Sequence, residues 1–140
     1  MAGGYKELDG ITADLGLEAW GETLEEAFVQ AGLGLAAVMA DLPTEDDKVT
    51  RTVLVQAPSP QDLLIRFLNE IIYREDTEGF IPVNVPSLEI VGGRLEATLT
   101  GMIYDPSRHI INTHVKAATY HGLAIEETPG EVRVRVIFDV

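Results

Sequence analysis

All three histidines of this chain fall in one stretch, Tyr104 to Gly122 (YDPSRHIINTHVKAATYHG), together with Asp105, Arg108, Lys116 and Tyr120. From Thr113 onward the stretch alternates like a strand. Val115, Ala117, Thr119 and His121 share one side, and His114, Lys116, Ala118 and Tyr120 share the other. One face thus carries an imidazole, a cation and a phenol. Three histidines so close invite a zinc reading, but strand geometry opposes it. His114 and His121 lie seven positions apart, so they point to opposite faces, and the spacing lacks the compact pairing of zinc motifs. Packed and surface histidines, His109 among them, are the plainer reading. The segment Asp-Pro-Ser-Arg-His before them reads as a turn, since proline fixes φ and Asp and Ser bond their own backbone.

A second chemical possibility is the end of the sequence, where Asp139 precedes Val140. If Val140 is the C-terminus, two neighbouring carboxylates offer hard oxygen donors, and a third from elsewhere would complete a site for calcium, magnesium or manganese. From spacing alone the plainer reading is a solvated tail. The acidic segment Asp41 to Lys48 (DLPTEDDK) lacks the regular ligand spacing of a calcium loop and reads as a solvated connector.

These groups need elements to position them. With 140 residues, 46% of them hydrophobic, the chain suits one domain over residues 1–140 with a genuine core. Ten basic and twenty-three acidic residues leave a net charge of −13, which disfavours nonspecific binding to nucleic-acid phosphates or an anionic membrane. A basic protein partner or a bound cation fits better. The absence of cysteine excludes disulfides and thiolate metal sites and is compatible with a cytoplasmic location. The start, MAGGYKELDG, has neither the apolar core of a signal peptide nor a glycine directly after Met1. The apolar run Ala31 to Ala40 is too short to span a bilayer.

Alternation predicts a strand over Leu15 to Trp20, entered from a polar turn at Asp9 to Asp14 and ended by Gly21. Thr23 followed by Glu26 is a capping-box signature, and apolar residues at helical spacing then predict a helix from Leu24 to about Ala40. Gly32 and Gly34 inside it point to close packing against another element. A second strand covers Val49 to Gln56. Ser59, Pro60 and Asp62 start a second helix, whose wide apolar stripe lies across a sheet and whose Arg66, Asn69, Glu70 and Arg74 read as a solvated face. Phe80 to Val85, carrying Pro82, reads as an edge strand. Leu88 to Val91 and Arg94 to Tyr104 flank a Gly92-Gly93 hairpin, with Leu95, Ala97, Leu99, Gly101 and Ile103 facing inward. Val132, Val134, Val136 and Phe138 alternate with Arg133, Arg135, Ile137 and Asp139, which predicts a final strand that ends at Val140. The fold class is α+β: one mostly antiparallel or mixed sheet with two helices packed on one face.

The order of several segments resembles the archease family over nearly the whole chain. They are TADLGLEAWGETLEEAF (Thr12 to Phe28), FLNEIIY (Phe67 to Tyr73), DTEGF (Asp76 to Phe80), DPSRH (Asp105 to His109), VKAATYHGL (Val115 to Leu123) and the terminal VRVIFDV. The resemblance implies an accessory protein of the RtcB-type tRNA-splicing ligase, one that promotes the ligase's manganese- and GTP-dependent guanylylation without joining RNA itself. It also implies a metal site of Asp14, Asp139 and the Val140 carboxylate, with Lys116 at a further functional position. Many members carry histidine directly before Thr-Ala-Asp. This chain has Gly10-Ile11 there, which leaves any role of that histidine in doubt here.

The expectation is therefore an activator of an RNA ligase with a divalent metal cofactor (calcium, magnesium or manganese), no sequence-specific nucleic-acid binding, no membrane and a cytoplasmic location. Two other readings stay open. A metal-dependent hydrolase would turn over substrate alone, and a chaperone-like binding module would show an exposed apolar patch and little sensitivity to Asp14 or Asp139.

Overall fold

The computed structural model describes residues 3–8, 14–41 and 48–140. The expected turn over Asp9 to Asp14, apart from Asp14, lies outside the described residues, as do Gly10-Ile11 and most of the Asp41 to Lys48 connector. In chain order the elements are β1 (Gly4–Leu8), β2 (Asp14–Gly21), α1 (Leu24–Met39), β3 (Ala40–Asp41), β4 (Val49–Gln56), α2 (Pro60–Glu78), β5 (Phe80–Val91), β6 (Arg94–Ile103), β7 (Ile110–Ile111), β8 (Ala117–Thr128) and β9 (Glu131–Asp139). The α+β class with two helices and antiparallel pairing holds. The single sheet does not, because the strands divide into a four-stranded sheet β1-β2-β9-β8, a three-stranded sheet β4-β6-β5 and a small pair β3-β7.

The two helices start where the sequence marks them. The Thr23 side chain accepts from the Glu26 N–H at 3.1 Å, and the Glu26 carboxylate reaches back to the Glu22 N–H at 2.6 Å. Ser59 accepts from the Asp62 N–H at 3.2 Å. Such caps satisfy donors that have no partner in the first helical turn. Gly79 ends α2 with φ of 72° and donates to the Glu75 carbonyl at 2.8 Å. Each helix touches strands of both larger sheets, α1 through β2, β1, β9 and β5 and α2 through β8, β5, β4 and β6.

The core lies between these layers. Phe28 of α1 and Phe67 of α2 stack with ring centroids 6.5 Å apart, and Leu17, Ala19, Val134, Val136, Leu95, Ala97 and Leu99 reach the same apolar cluster from the strands. Close packing at the helical glycines is found. A Cβ on Gly32 would stand 3.3 Å from Phe67 and Ile71, and one on Gly34 3.0 Å from Leu17 and Tyr5.

Three details differ from the sequence reading. First, β5 is one continuous edge strand through Pro82 and Pro86, with register shifts between Pro82 and Asn84 and between Asn84 and Ser87. The irregular pairing absorbs the missing proline donors, which is tolerable at an edge. Second, Ile103 is 41% exposed while Met102 is buried, so the inward face of β6 ends at Gly101. Third, β1 and the two-residue strands β3 and β7 have no counterpart in the periodicity, being charged on β1 and too short elsewhere for a period to register.

Gly101 is where β6 and β5 come closest. A Cβ there would fall 2.1 Å from the Ile81 carbonyl oxygen and 2.7 Å from the Pro82 Cα, backbone atoms that cannot turn aside. Gly101→Ala should cost at least about 1–3 kcal/mol, read as a lower urea midpoint with the slope unchanged.

Candidate functional site

β9 runs between β2 and β8, and its last residues set the geometry of the site. Val132, Val134, Val136 and Phe138 are buried on the core side, and the alternate positions Arg133, Arg135 and Asp139 lie on the opposite face together with Ile137, which is itself buried there. On β2 the buried residues Leu17 and Ala19 leave Asp14, Glu18 and Trp20 on the opposite face. The register then matches the two strands: Trp20 with Arg133, Glu18 with Arg135 and Asp14 with Asp139. Along most of this outer face, charges are complementary. Arg133 donates to Glu18 at 2.6 Å and lies 4.7 Å from the Trp20 ring centre, while Lys6 of β1 approaches Glu18 at 3.8 Å.

At the strand ends the pattern reverses, and two carboxylates stand opposite each other. Cross-strand partners have Cβ atoms about 4.5–5.5 Å apart, and like charges at that separation repel. Both Asp14 and Asp139 are exposed, as is Val140. On the other side of β9, Ala117 is the partner of Asp139, and the Lys116 N–H donates to the Asp139 carbonyl at 2.9 Å. Asp14 and Lys116, far from Asp139 and Val140 in sequence, are therefore brought beside that pair at one end of the four-stranded sheet. Oxygen donors alone suit a hard cation, and two like charges in register are a feature that such a cation would stabilise.

The Tyr104 to Gly122 stretch is organised differently from the reading of one regular strand. Residues 112–116 lie outside any strand, and the β8–β9 register shifts between Thr119 and Ala124. Lys116 and Tyr120 are exposed, but Ala118 is buried rather than sharing their solvent side. The reason is Asn69 of α2, whose carboxamide accepts from the Ala118 N–H at 2.7 Å and donates to the Ala118 carbonyl at 3.3 Å. It pairs with the edge of β8 as a neighbouring strand would. Asn69 is thus no part of a solvated face. Its signal in the sequence was an amide bordering the apolar stripe of a helix, a position that helix propensity does not favour.

The histidines take separate places. His109 is buried, and its Nδ1 accepts from the Asp105 N–H at 2.9 Å, closing the predicted turn. Asp105 accepts from the Ser107 N–H and hydroxyl at 3.0 and 2.8 Å, and these bonds hold its carboxyl below the usual range. His121 is exposed on β8, and His114 lies beside Glu75 and Asp76. Among the described residues no three-histidine set forms.

Tyr120 donates to Asp62 at 2.6 Å and Ser59 donates to the same carboxylate at 2.9 Å, tying β8 to the start of α2. Tyr120 first and Ser59 second lower the Asp62 pKa, and Asp62 in turn raises that of Tyr120. Sequence reading found the cap formed by Ser59 and Asp62 but not the phenol from β8, because the partner lies 58 residues on.

This is an α+β domain in which antiparallel strands carry paired acids to one end of a sheet. Residues 5–140 match the archease protein family. The archease of Thermococcus kodakarensis is 37% identical over 122 residues, covering 84% of this chain and 85% of that protein. The archease of Methanosarcina mazei is 32% identical over 133 residues, covering 92% and 91%. The solution structure of Methanobacterium thermoautotrophicum protein 1598 superposes with a TM-score of 0.76 at 30% identity, covering 98% of this chain and 99% of that one. The crystal structure of an archease, possible chaperone, from Thermotoga maritima shares the fold, with a TM-score of 0.66 at 23% identity over 96% of this chain and 97% of that one. The chain belongs to the archease family. No helix among the described residues is long and apolar enough to cross a membrane.

Two predictions follow the contacts of α2 with β8. Asn69→Ala leaves the Ala118 amide and carbonyl without their partner and should cost about 1–3 kcal/mol in a denaturation measurement, and Asn69→Asp, which keeps the acceptor but sets a carboxylate oxygen against the Ala118 carbonyl, should also destabilise. The Tyr120–Asp62 bond gives a pH signature. A lowered Asp62 pKa contributes stability that is present above the ordinary aspartate range and lost as pH falls through the folded value. A raised Tyr120 pKa contributes stability that is present below its ordinary value and lost as pH rises through the folded one. The melting-temperature gap between wild type and Tyr120→Phe should therefore be widest at neutral pH and narrow below about pH 4 and above about pH 10. A gap unchanged at pH 2 would mean that the bond is not its source.

Proposed function

We propose that this chain is an activator of an RtcB-type tRNA-splicing ligase in the cytoplasm, an accessory protein that promotes the ligase's metal- and GTP-dependent guanylylation and its repeated turnover. The observation that carries the reading is the register of β2 against β9, which sets Asp14 opposite Asp139 with Lys116 bonded to the Asp139 backbone. Asp14, Asp139 and Val140, whose terminal carboxylate contributes when the chain ends there, would hold calcium, magnesium or manganese. A divalent cation supplies positive charge where negative charge develops on phosphates during guanylyl transfer. Lys116, exposed beside these acids, contacts a phosphate or an acidic group of the ligase. The net charge of −13 favours steering toward a basic ligase surface.

The test is guanylylation and multiple-turnover ligation by a partner ligase, with and without this protein. Stimulation is expected from the wild type. Asp139→Asn should weaken cation affinity by about tenfold or more in calorimetry and reduce stimulation. Lys116→Ala should reduce stimulation at an unchanged melting temperature, since exposed substitutions usually shift stability by no more than about 0.5 kcal/mol. Residues added after Val140 should impair activation more than the same residues placed before Met1. Hydrolytic turnover without a ligase would favour an enzyme, and activation indifferent to Asp14 and Asp139 would favour a binding module.

A further inference from the structure

We propose that Glu75, Asp76 and His114 form a separate site for a divalent transition-metal ion of the zinc type, between the last turns of α2 and the segment that precedes β8. One ligand atom from each of the three residues lies within 4.8 Å of the others, and since metal–ligand bonds of about 2.0–2.2 Å set tetrahedral ligands about 3.3–3.6 Å apart, side-chain rotation draws the three together around the ion. The donors come from two elements and differ in kind. Two are carboxylates from adjacent helical positions, and the third is an imidazole contributed 38 positions later in the chain.

The surroundings hold the three in place. Asn69 fixes α2 to β8 through both polar groups of Ala118. The segment carrying His114 is anchored on either side, with the Asn112 N–H donating to the Met39 carbonyl at 2.8 Å and the Lys116 N–H to the Asp139 carbonyl at 2.9 Å. Val115, next to His114, is 2% exposed, so His114 sits on a backbone tied down by its neighbours. On the helix, the Gly79 cap bonds to the Glu75 carbonyl. Arg74, the nearest cation in sequence, is turned away to Glu70 and Glu78 at 3.2 and 3.1 Å.

The electrostatics agree. Glu75 is half-buried, and burial first, then the hydrogen bond and charge of Asp76, raise its pKa, while His114 opposes the rise. Two crowded carboxylates at a partly dry position, faced by one imidazole, are stabilised by a bound cation. Ligand type then separates this cluster from the strand-end acids. A nitrogen donor with two oxygens suits zinc and other borderline ions, whereas an all-oxygen set suits calcium or magnesium. The inference is independent of the ligase reading, because it concerns different residues and a different class of ion.

The experiment is a titration of the full chain with Zn2+, followed by NMR of the histidine side chains, in which His109 and His121 serve as internal references. One equivalent of Zn2+ should shift the His114 ring resonances and leave those of His109 and His121 in place, and the same concentration of Ca2+ should leave all three in place. Glu75→Gln should weaken Zn2+ binding by about tenfold or more, with the fold verified by circular dichroism, and Asp139→Asn should leave the His114 response intact. Zn2+ shifts spread over all three rings, a His114 response untouched by Glu75→Gln, or a response lost with Asp139→Asn would each overturn the site.

Discussion

Eight consecutive residues of β2, Asp14 to Gly21, pair with Asp139 to Val132 of β9, and the rest of the molecule hangs on that register. The buried sides of the two strands, Leu17 and Ala19 with Val134, Val136 and Phe138, form one wall of the core. The period of two then forces Asp14 and Asp139 outward together. A slip by one residue would drive Phe138 into solvent and Asp139 toward the helices, a loss of about 1.5–3 kcal/mol for the phenylalanine alone. The position of the acids is therefore held by apolar burial rather than by any attraction between them. Core packing keeps two like charges together at an exposed end.

β8 extends this constraint to a third strand and to α2. Its pairing with β9 is regular from Ala117 to Thr119 and again from Ala124 to Thr128, with the irregularity between. Two side-chain contacts offset that interruption. Asn69 satisfies the outer edge of Ala118, and Asp62 receives the Tyr120 hydroxyl. Hydrogen bonds of this kind contribute modestly when made and cost more when a buried partner is left without one, so the Asn69 bridge to Ala118 does more for α2 against β8 than the exposed Tyr120 contact. Lys116 and His114 inherit their positions from this docking, Lys116 through Asp139 and His114 through its two anchored neighbours.

Charge arrangement on the remaining surface follows a different logic from that at the strand ends. Arg51 and Arg74 both reach Glu78, whose carboxyl they hold below the usual range, and Arg133 bridges Glu18 and Glu131. Exposed pairs of this sort contribute little each. They show, however, that arginines are placed against acids where the fold permits it. Against that background the Asp14–Asp139 pair and the Glu75–Asp76–His114 group are places where acids face each other, and both lie near the segment 112–116.

Periodicity and capping residues determined much of this protein by themselves. Thr23 with Glu26 and Ser59 with Asp62 mark the helix starts, alternation marks β2, β4, β6 and β9, and Gly92-Gly93, with φ of 56° and 79°, marks the hairpin. These signals are local because caps, turns and strand faces depend on residues only a few positions apart. That Asp14, Asp139, Val140 and Lys116 belong together was an implication of the resemblance to the archease family and not of periodicity or spacing. What only the tertiary structure decided was which strands are neighbours: the division into separate sheets, the antiparallel register that brings residues 14 and 139 into opposition, and the docking of Asn69 on Ala118. Each depends on partners tens of residues apart, chosen by how the apolar faces of several elements fit around one core, and no single segment carries that information.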